Sequence, residues 1–480
     1  MTAATSTSAG HAGRPGPTPP ITTDLTALPS SGIVTLEDAL ASRDGEALRW
    51  YAEAINPAAA AEARILGDTG TFVHAHGAVL TDHRGTDYLD CLAGFGSVNL
   101  GHNHPELLAA LDQVAELPGF LQVWPSPVTA ALAVSLVKVA PGDLGKVFFC
   151  NSGTEAIEAA IKLARGTGRP GLLSTDNAFH GKSMGSLSVS GRALYQKPYG
   201  SLLPGCERVP YGDVDALEQA LRSKQFGGFF VEPIQGEAGI IVPPDGYLKA
   251  AEQLCRATGT LLIVDEIQTG LGRTGTLFAC DREGVAPDVL CLAKGLGGGV
   301  LPIGACLARN DVWERVYGTR ETAYLHTSTF GGGTRACAVG LKTLEVLLRD
   351  RLPERADRIG ERLISRLQQI AKRYPMIEEV RGRGLLIGIE FATPRIGAGF
   401  AREYAGAVAA ALLWQEHRIV TINTLNNPNV MRIEPPLILS EEQADRVADS
   451  VEAVVSRHKS VLRATARVGA RSLRGRRSRS

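Results

Sequence analysis

The sequence predicts an α/β protein organised around a doubly wound, mostly parallel sheet, with a smaller α+β unit beside it. Three observations carry that reading. Between residues 105 and 348, short apolar runs alternate with helical patterns: KVFFC at 146–150, GLLS at 171–174, GFFV at 228–231, LLIV at 261–264 and VLCL at 289–292. Strands buried on both faces of a parallel sheet read this way. The chain, at 480 residues, is long enough for two or more cores. Finally, one lysine, Lys294, interrupts an apolar stretch just beyond the last of these runs and is followed at once by glycines. That places it at the carboxyl edge of the sheet, where open α/β folds bind ligands.

Taken in order, residues 1–31 are Ala, Thr, Ser, Gly and Pro with almost nothing to bury, and are expected to be disordered. The TLED at 35–38 is a helix-capping pattern, and a second helical stretch covers 48–55 before Pro57. TFVH at 71–74, AVLT at 78–81 and YLDCL at 88–92 alternate like the strands of a small meander. Residues 32–100 are thus an N-terminal segment with part of a small domain, and 101–348 the large domain. A long amphipathic helix over 352–373, the strand-like GLLIGIEF at 384–391, a helix over 400–416 and VMRI at 430–433 make 349–456 the remainder of the small domain. After Glu452 no acidic residue remains, and nine Lys and Arg crowd 457–480, which reads as a basic disordered tail.

Equal counts of Lys+Arg and Asp+Glu, 50 each, give no global field that would draw nucleic acid or an anionic membrane. No apolar run approaches a membrane span, and the amino terminus lacks a signal peptide's basic and apolar blocks. The 8 cysteines are scattered through apolar stretches without zinc spacing, which predicts free thiols in a reducing cytoplasm and no metal site. A small-molecule enzyme fits this balance.

CNSGTE at 150–155 leaves a strand and enters a helix, putting Ser152, Gly153 and Thr154 at a helix amino terminus. Free N–H groups there make a phosphate cup, and the same residues equally suit an ordinary cap. LLIVDEIQTG at 261–270 ends a strand in Asp265, where a carboxylate can face a ligand. The same run looks like a nucleotidase's strand-end Asp-Glu, and HGKS at 180–183 superficially like a P-loop. The earlier glycine a P-loop requires is replaced by Asp176, which argues against nucleotide binding. A desolvated Lys294 would be a nucleophilic amine suited to Schiff-base chemistry. Phosphate cup, strand-end aspartate and strand-end lysine are together the three anchors of pyridoxal phosphate, with Phe179 available to stack on its ring.

These residues lie in motifs that resemble the class-III (ornithine/GABA-type) aminotransferases of pyridoxal-phosphate fold type I, over nearly all of 71–454. They are NSGTEA at 151–156, FHGKS at 179–183, VEPIQGEAG at 231–239, VDEIQTGLGRTG at 264–275, LAKGLGGG at 292–299 and MRIEPPL at 431–437. The resemblance implies the aspartate aminotransferase-like fold, a small domain drawn from both chain ends and a large cofactor-binding domain. It also implies Lys294 as the Schiff-base lysine, Asp265 as partner of the pyridine nitrogen and Gln268 on the phenolic oxygen. Ser152, Gly153 and Thr154 would hold the phosphate, and Phe179 and His180 would sit at the ring. Thr329 would reach the phosphate of a neighbouring subunit, so a homodimer or higher oligomer is expected. The family commonly continues Gly-Gly-Asn-Pro after that threonine, whereas Gly331-Gly332-Gly333-Thr334 stands here, a looser loop.

Within the family the chain looks closest to putrescine aminotransferases, sharing LDCL at 89–92, GFG at 94–96, HT at 326–327, TFGG at 329–332 and TLNN at 424–427. Related enzymes for GABA and acetylornithine place an arginine where Lys182 stands, and only arginine grips a carboxylate bidentately. Phe95, Lys182, Glu237 and Arg432 are the expected substrate residues, with Glu237 leaving Arg432 when a glutamate carboxylate arrives. The expected activity moves an amino group from a diamine such as putrescine or cadaverine to a 2-oxo acid such as 2-oxoglutarate. The alternatives are ornithine-, acetylornithine- or GABA-type ω-amino acids, an aldehyde or keto intermediate of secondary metabolism, and a nonenzymatic partner-binding protein.

Overall fold

The computed structural model describes residues 33–42, 45–66, 71–121, 124–393, 399 and 403–468. The expected disordered stretch 1–31 lies outside them. Three short helices lead in: Leu36–Ala41, Glu46–Ala54 and Pro57–Leu66. The first carries the expected box, with the Asp38 amide donating to Thr35 Oγ1 and the Thr35 amide to Asp38 Oδ2, both at 3.1 Å. Strands β1 (Phe72–His76), β2 (Val79–Asp82) and β3 (Asp87–Asp90) then form the meander.

The central sheet holds β4 (Leu144–Cys150), β5 (Gly171–Thr175), β6 (Cys206–Val209), β7 (Phe226–Val231), β8 (Leu261–Asp265), β9 (Val289–Leu292) and β10 (Gly304–Arg309). Their order is β4-β10-β9-β8-β7-β5-β6. All neighbours pair in parallel except β10, which runs antiparallel to both β4 and β9. Burial on both faces explains the unbroken apolar runs. Leu262 and Val264 of β8 join the core under one face, whereas Leu261 and Ile263 join the core under the other, where the helix Gly153–Arg165 packs.

Strands β6 and β10 were not expected from the sequence. β6 is a half-exposed edge strand carrying Glu207 and Arg208, so its pattern matches a loop. β10 follows the glycine-rich 295–299, and its CLA reads as the end of that loop until its two neighbours are known.

The second unit has an antiparallel sheet of β11 (Ile377–Arg383), β12 (Leu386–Phe391) and β14 (Val430–Ile433), while the short β13 (Ile419–Val420) extends the meander beside β3 in parallel. The helix Leu352–Arg373 lays Leu352, Ala356, Ile359, Leu363, Leu367 and Ile370 on its buried face, the helical spacing the sequence shows. The helix expected over 400–416 is described from Ala405 to Leu412 and ends in a π-turn, Leu413–His417.

The tail expected to be disordered from 457 is instead structured as far as it is described. The helix Glu441–His458 is followed by a helical run over 461–468, and Val461, Ala464 and Val468 enter the main core. Its arginines also have a partner that local charge counting could not supply. The buried Glu416 takes Arg457 Nη1 at 3.0 Å and lies 3.5 Å from Arg467 Nε. Among the described residues no helix is long and apolar enough to cross a membrane.

Truncating Leu367, fully buried in the long helix, removes packing that the surroundings cannot replace. Leu367→Ala is expected to cost about 2–5 kcal/mol and to lower the apparent melting temperature, whereas the exposed Gln369→Ala on the same turn should leave it nearly unchanged. Differential scanning calorimetry of the two variants checks this.

Candidate active site

Five strands running in one direction end at the same edge of the central sheet, and each delivers a group to one cavity. Asn151 to Thr154 follow β4, Phe179 to Lys182 follow β5, Glu232 follows β7, Asp265 ends β8 and Lys294 follows β9. Residues 299–303 close another side. The volume is 640 Å³, within the range of small-molecule sites.

Lys294 enters from a backbone with φ 41°, a left-handed conformation uncommon for a residue with a Cβ and frequent at functional sites. It is half-buried. Desolvation pushes its ammonium below the usual lysine value; Glu434, Glu237 and Asp265 act the other way, and Arg432 adds to the lowering. A larger neutral fraction is what a nucleophile or proton-transfer base requires.

Asp265 follows the alternation of β8, so its side chain shares the face of Leu261 and Ile263. Its Oδ2 pairs with His180 Nδ1 at 2.7 Å and its Oδ1 accepts the Ile267 amide at 3.0 Å. The carboxylate's direction is therefore fixed. Burial opposes the charged His180 ring, but the bonded Asp265, with Glu232 behind it, outweighs that and raises its pKa. Glu232 accepts the amides of Phe179 at 2.9 Å and Gly236 at 3.1 Å, and burial pushes its carboxyl up to about 7.

At the start of the helix Gly153–Arg165, Ser152 is a true cap. Its Oγ accepts the Glu155 amide at 3.4 Å and donates to Glu155 Oε2 at 3.0 Å. Gly153 is pressed against Ile267, whose Cδ1 would lie 2.8 Å from any added Cβ. Thr154 Oγ1 sits between Ser183 Oγ at 2.8 Å and Ser186 Oγ at 2.6 Å. Lys182 is exposed at the rim, its Nζ 4.9 Å from the Tyr195 ring centre and 5.9 Å from that of Phe179.

Nine of the expected residues, Ser152, Gly153, Thr154, Phe179, His180, Lys182, Asp265, Gln268 and Lys294, thus line one cavity. Phe95, Glu237 and Arg432 form an adjoining cluster instead. Arg432 is fully buried, its Nη2 2.5 Å from Glu237 Oε2 and its guanidinium 5.2 Å from the Phe95 ring centre. Burial lowers the tendency of Arg432 to hold its charge, yet Glu237 and Glu434 more than compensate and its pKa is raised. For Glu237, burial raises and Arg432 lowers, with a net lowering. Thr329 is exposed, before the helix Thr334–Arg349, and does not line this chain's cavity.

Sequence reasoning gave no role to Glu232 or Glu434, although both lie inside quoted motifs. The available signal was a lone acidic residue at the end of an apolar strand, the same signal that marked Asp265.

The profile of the family described as aminotransferase class-III matches residues 67–455. Among solved structures, the ornithine aminotransferase of Toxoplasma gondii ME49 is similar at 36% identity and a TM-score of 0.74, over 81% of this chain and 92% of that one. An (S)-enantioselective omega-transaminase from Thermomicrobium roseum matches at 32% identity and a TM-score of 0.75, covering 81% and 92%. An amine transaminase from an uncultivated Pseudomonas species matches at 30% identity and a TM-score of 0.75, covering 81% and 95%.

Because the folded-state pKa of His180 is raised, the stability it contributes is fully present below the free-histidine value near pH ~6.5 and fades as pH climbs through the higher folded value. His180→Asn should therefore destabilise the protein most in mildly acidic buffer, with the gap to wild type narrowing toward alkaline pH. Melting temperatures of both proteins across that range test it; a constant gap would contradict the ion-pair reading.

Proposed function

The chain belongs to the class-III aminotransferases, enzymes that use pyridoxal phosphate, and on that premise we propose that it takes the amino group of a diamine such as putrescine or cadaverine and passes it to a 2-oxo acid such as 2-oxoglutarate. The observation that carries the donor assignment is the state of Arg432, a fully buried cation beside the cavity. It is closed by Glu237 at 2.5 Å, and the rim offers the exposed Lys182 instead of a second arginine. A donor without a carboxylate at its reacting carbon asks nothing more of that cluster.

The residues present fit the cofactor. The Gly153 turn admits no side chain, the buried His180 Nε2 has no hydrogen-bond partner among the described residues, and Asp265 and Lys294 face one cavity. Ser152, Gly153 and Thr154 would hold the phosphate, Phe179 and His180 the ring, Asp265 the protonated pyridine nitrogen and Gln268 the phenolic oxygen. When bound, pyridoxal phosphate supplies an electron sink for the pair left on the substrate carbon. Lys294 Nζ, with its lowered pKa, is the base that takes the proton from that carbon and holds it. Asp265, oriented by His180, keeps a negative charge where a pyridinium is needed.

Thr329 is the group a second copy would bring to the phosphate. The exposed Tyr324, Leu325 and Phe330 on the same segment, with Trp124 nearby in the fold, support burial of this face in a homodimer. A cytoplasmic location is in keeping with eight free cysteines. The reading with ω-amino acids as donors is favoured by one observation, the Arg432–Glu237 pair itself, which could open to a carboxylate.

Lys294→Ala should fold yet fail to complete transamination, and borohydride reduction of the wild type followed by peptide mapping should place the pyridoxyl label on Lys294. Label on Lys182 would overturn the assignment. Glu237→Ala should slow the putrescine half-reaction while sparing that of glutamate, measured by stopped flow; equal losses would make Glu237 only a structural partner. A wild type faster with GABA than with putrescine would overturn the diamine reading.

A further inference from the structure

Arg432 has a second carboxylate, Glu434, which Gln268 also holds. Glu434 lies just past β14, two residues from Arg432 and on the same side of the chain. Both are fully buried. Arg432 Nη1 is 3.4 Å from Glu434 Oε2, and Gln268 Nε2 donates to both Glu434 oxygens at 3.1 Å. The fully buried Arg273 adds a further positive charge that interacts with it. The Glu434 amide itself donates to Cys91 O at 2.8 Å, tying the residue to the meander segment.

The backbone opposite is shaped for this carboxylate. Gly96 has φ 81°, and a Cβ there would come 2.4 Å from Glu434 Oε1. The preceding residue, Phe95, covers the Arg432 guanidinium. Residues 95 and 96 therefore clamp the Arg432–Glu434 pair from one side while Gln268 holds it from the other. Glu237, on the loop that follows β7, is held by Arg432 Nη2 at 2.5 Å and by the Leu425 amide at 2.9 Å, and its carbonyl accepts the Asn426 amide at 2.8 Å.

If Glu237 moves away, Arg432 does not become a free cation, because Glu434 still occupies Nη1. An incoming carboxylate finds one edge of the guanidinium and a neighbouring negative charge in a poorly solvated space, where like charges repel strongly. We infer that Glu434 is a specificity-determining residue: by keeping Arg432 partly neutralised whether or not Glu237 is in place, it disfavours substrates with a carboxylate beside the reacting carbon and favours amines without one. This rests on the diamine reading above and extends it to the acceptor, since a 2-oxo dicarboxylate must then bind weakly.

The test is Glu434→Gln, which keeps the shape and a hydrogen-bond acceptor for Gln268 but removes the charge. Glutarate, an unreactive dicarboxylate, serves as the binding probe, titrated calorimetrically into holoenzyme. The expected result is glutarate binding at least about tenfold tighter than in wild type, with kcat/KM for glutamate relative to putrescine rising by a similar factor. Glu434→Asp, which retains the charge, should keep the wild-type ratio.

Unchanged or weaker glutarate binding, or equal losses for both half-reactions, would overturn the inference and leave Glu434 as a support for Gln268. Should Glu434→Gln not accumulate as holoenzyme, Glu237→Ala decides instead. With Glu434 still present, glutarate should tighten by no more than about threefold, and a tenfold gain from Glu237→Ala alone would refute the inference. Glutarate affinity does not depend on which amine is the donor, so a failed diamine assignment and a failed role for Glu434 give different results.

Discussion

Charge held out of water at the carboxyl edge of the central sheet is the constraint on which the rest of this molecule depends. Lys294, Asp265, His180, Glu232, Arg432, Glu237 and Glu434 lie in or next to one cavity, and all but the half-buried Lys294 are buried. Isolated buried charges are costly, so each must be paired or neutralised. The structure answers with two linked sets. His180 bonds Asp265 and faces Glu232, while Glu237 and Glu434 attend Arg432. Gln268 joins the sets, since it lines the cavity and donates to Glu434.

The architecture exists to hold those groups still. β8 and β9 are central strands buried on both faces, so the residues at their ends inherit rigidity from packed cores and not from loops. The helix Gly153–Arg165 lies on the same sheet and brings its amino terminus to the cavity, where backbone donors suit an anion. Lys294 at the cavity and Phe95 beside Arg432 both have positive φ, conformations that persist when surrounding packing over-determines them.

In the proposed reading, the two carboxylates on Arg432 serve a site that takes an amine in one half-reaction and a 2-oxo acid in the next. Glu237 lies on the loop after β7, whereas Glu434 lies against Gly96 and accepts both bonds from Gln268. Placing both on a single guanidinium sets how much positive charge the site can show, so donor preference and acceptor affinity become linked properties of one cluster.

Much of this was legible in the sequence. Unbroken apolar runs located β4, β5, β7, β8 and β9, and the first polar residue after such a run marked Asp265 and Lys294, because strand burial and strand ends are local properties of the chain. Helical spacing likewise placed the helix Leu352–Arg373. What the sequence could not show is how residues far apart in the chain meet. β10 is a strand only because β4 and β9 flank it, and Arg457 and Arg467 meet Glu416, some 40 to 50 residues upstream. Glu434 looked like one more residue of a motif until the tertiary structure set it against Gln268, 166 positions earlier. The sequence alone determined which residues must be buried and where each strand ends; only the tertiary structure decided which charges those buried ends would meet, because a polar group's partner is chosen by packing across the whole chain.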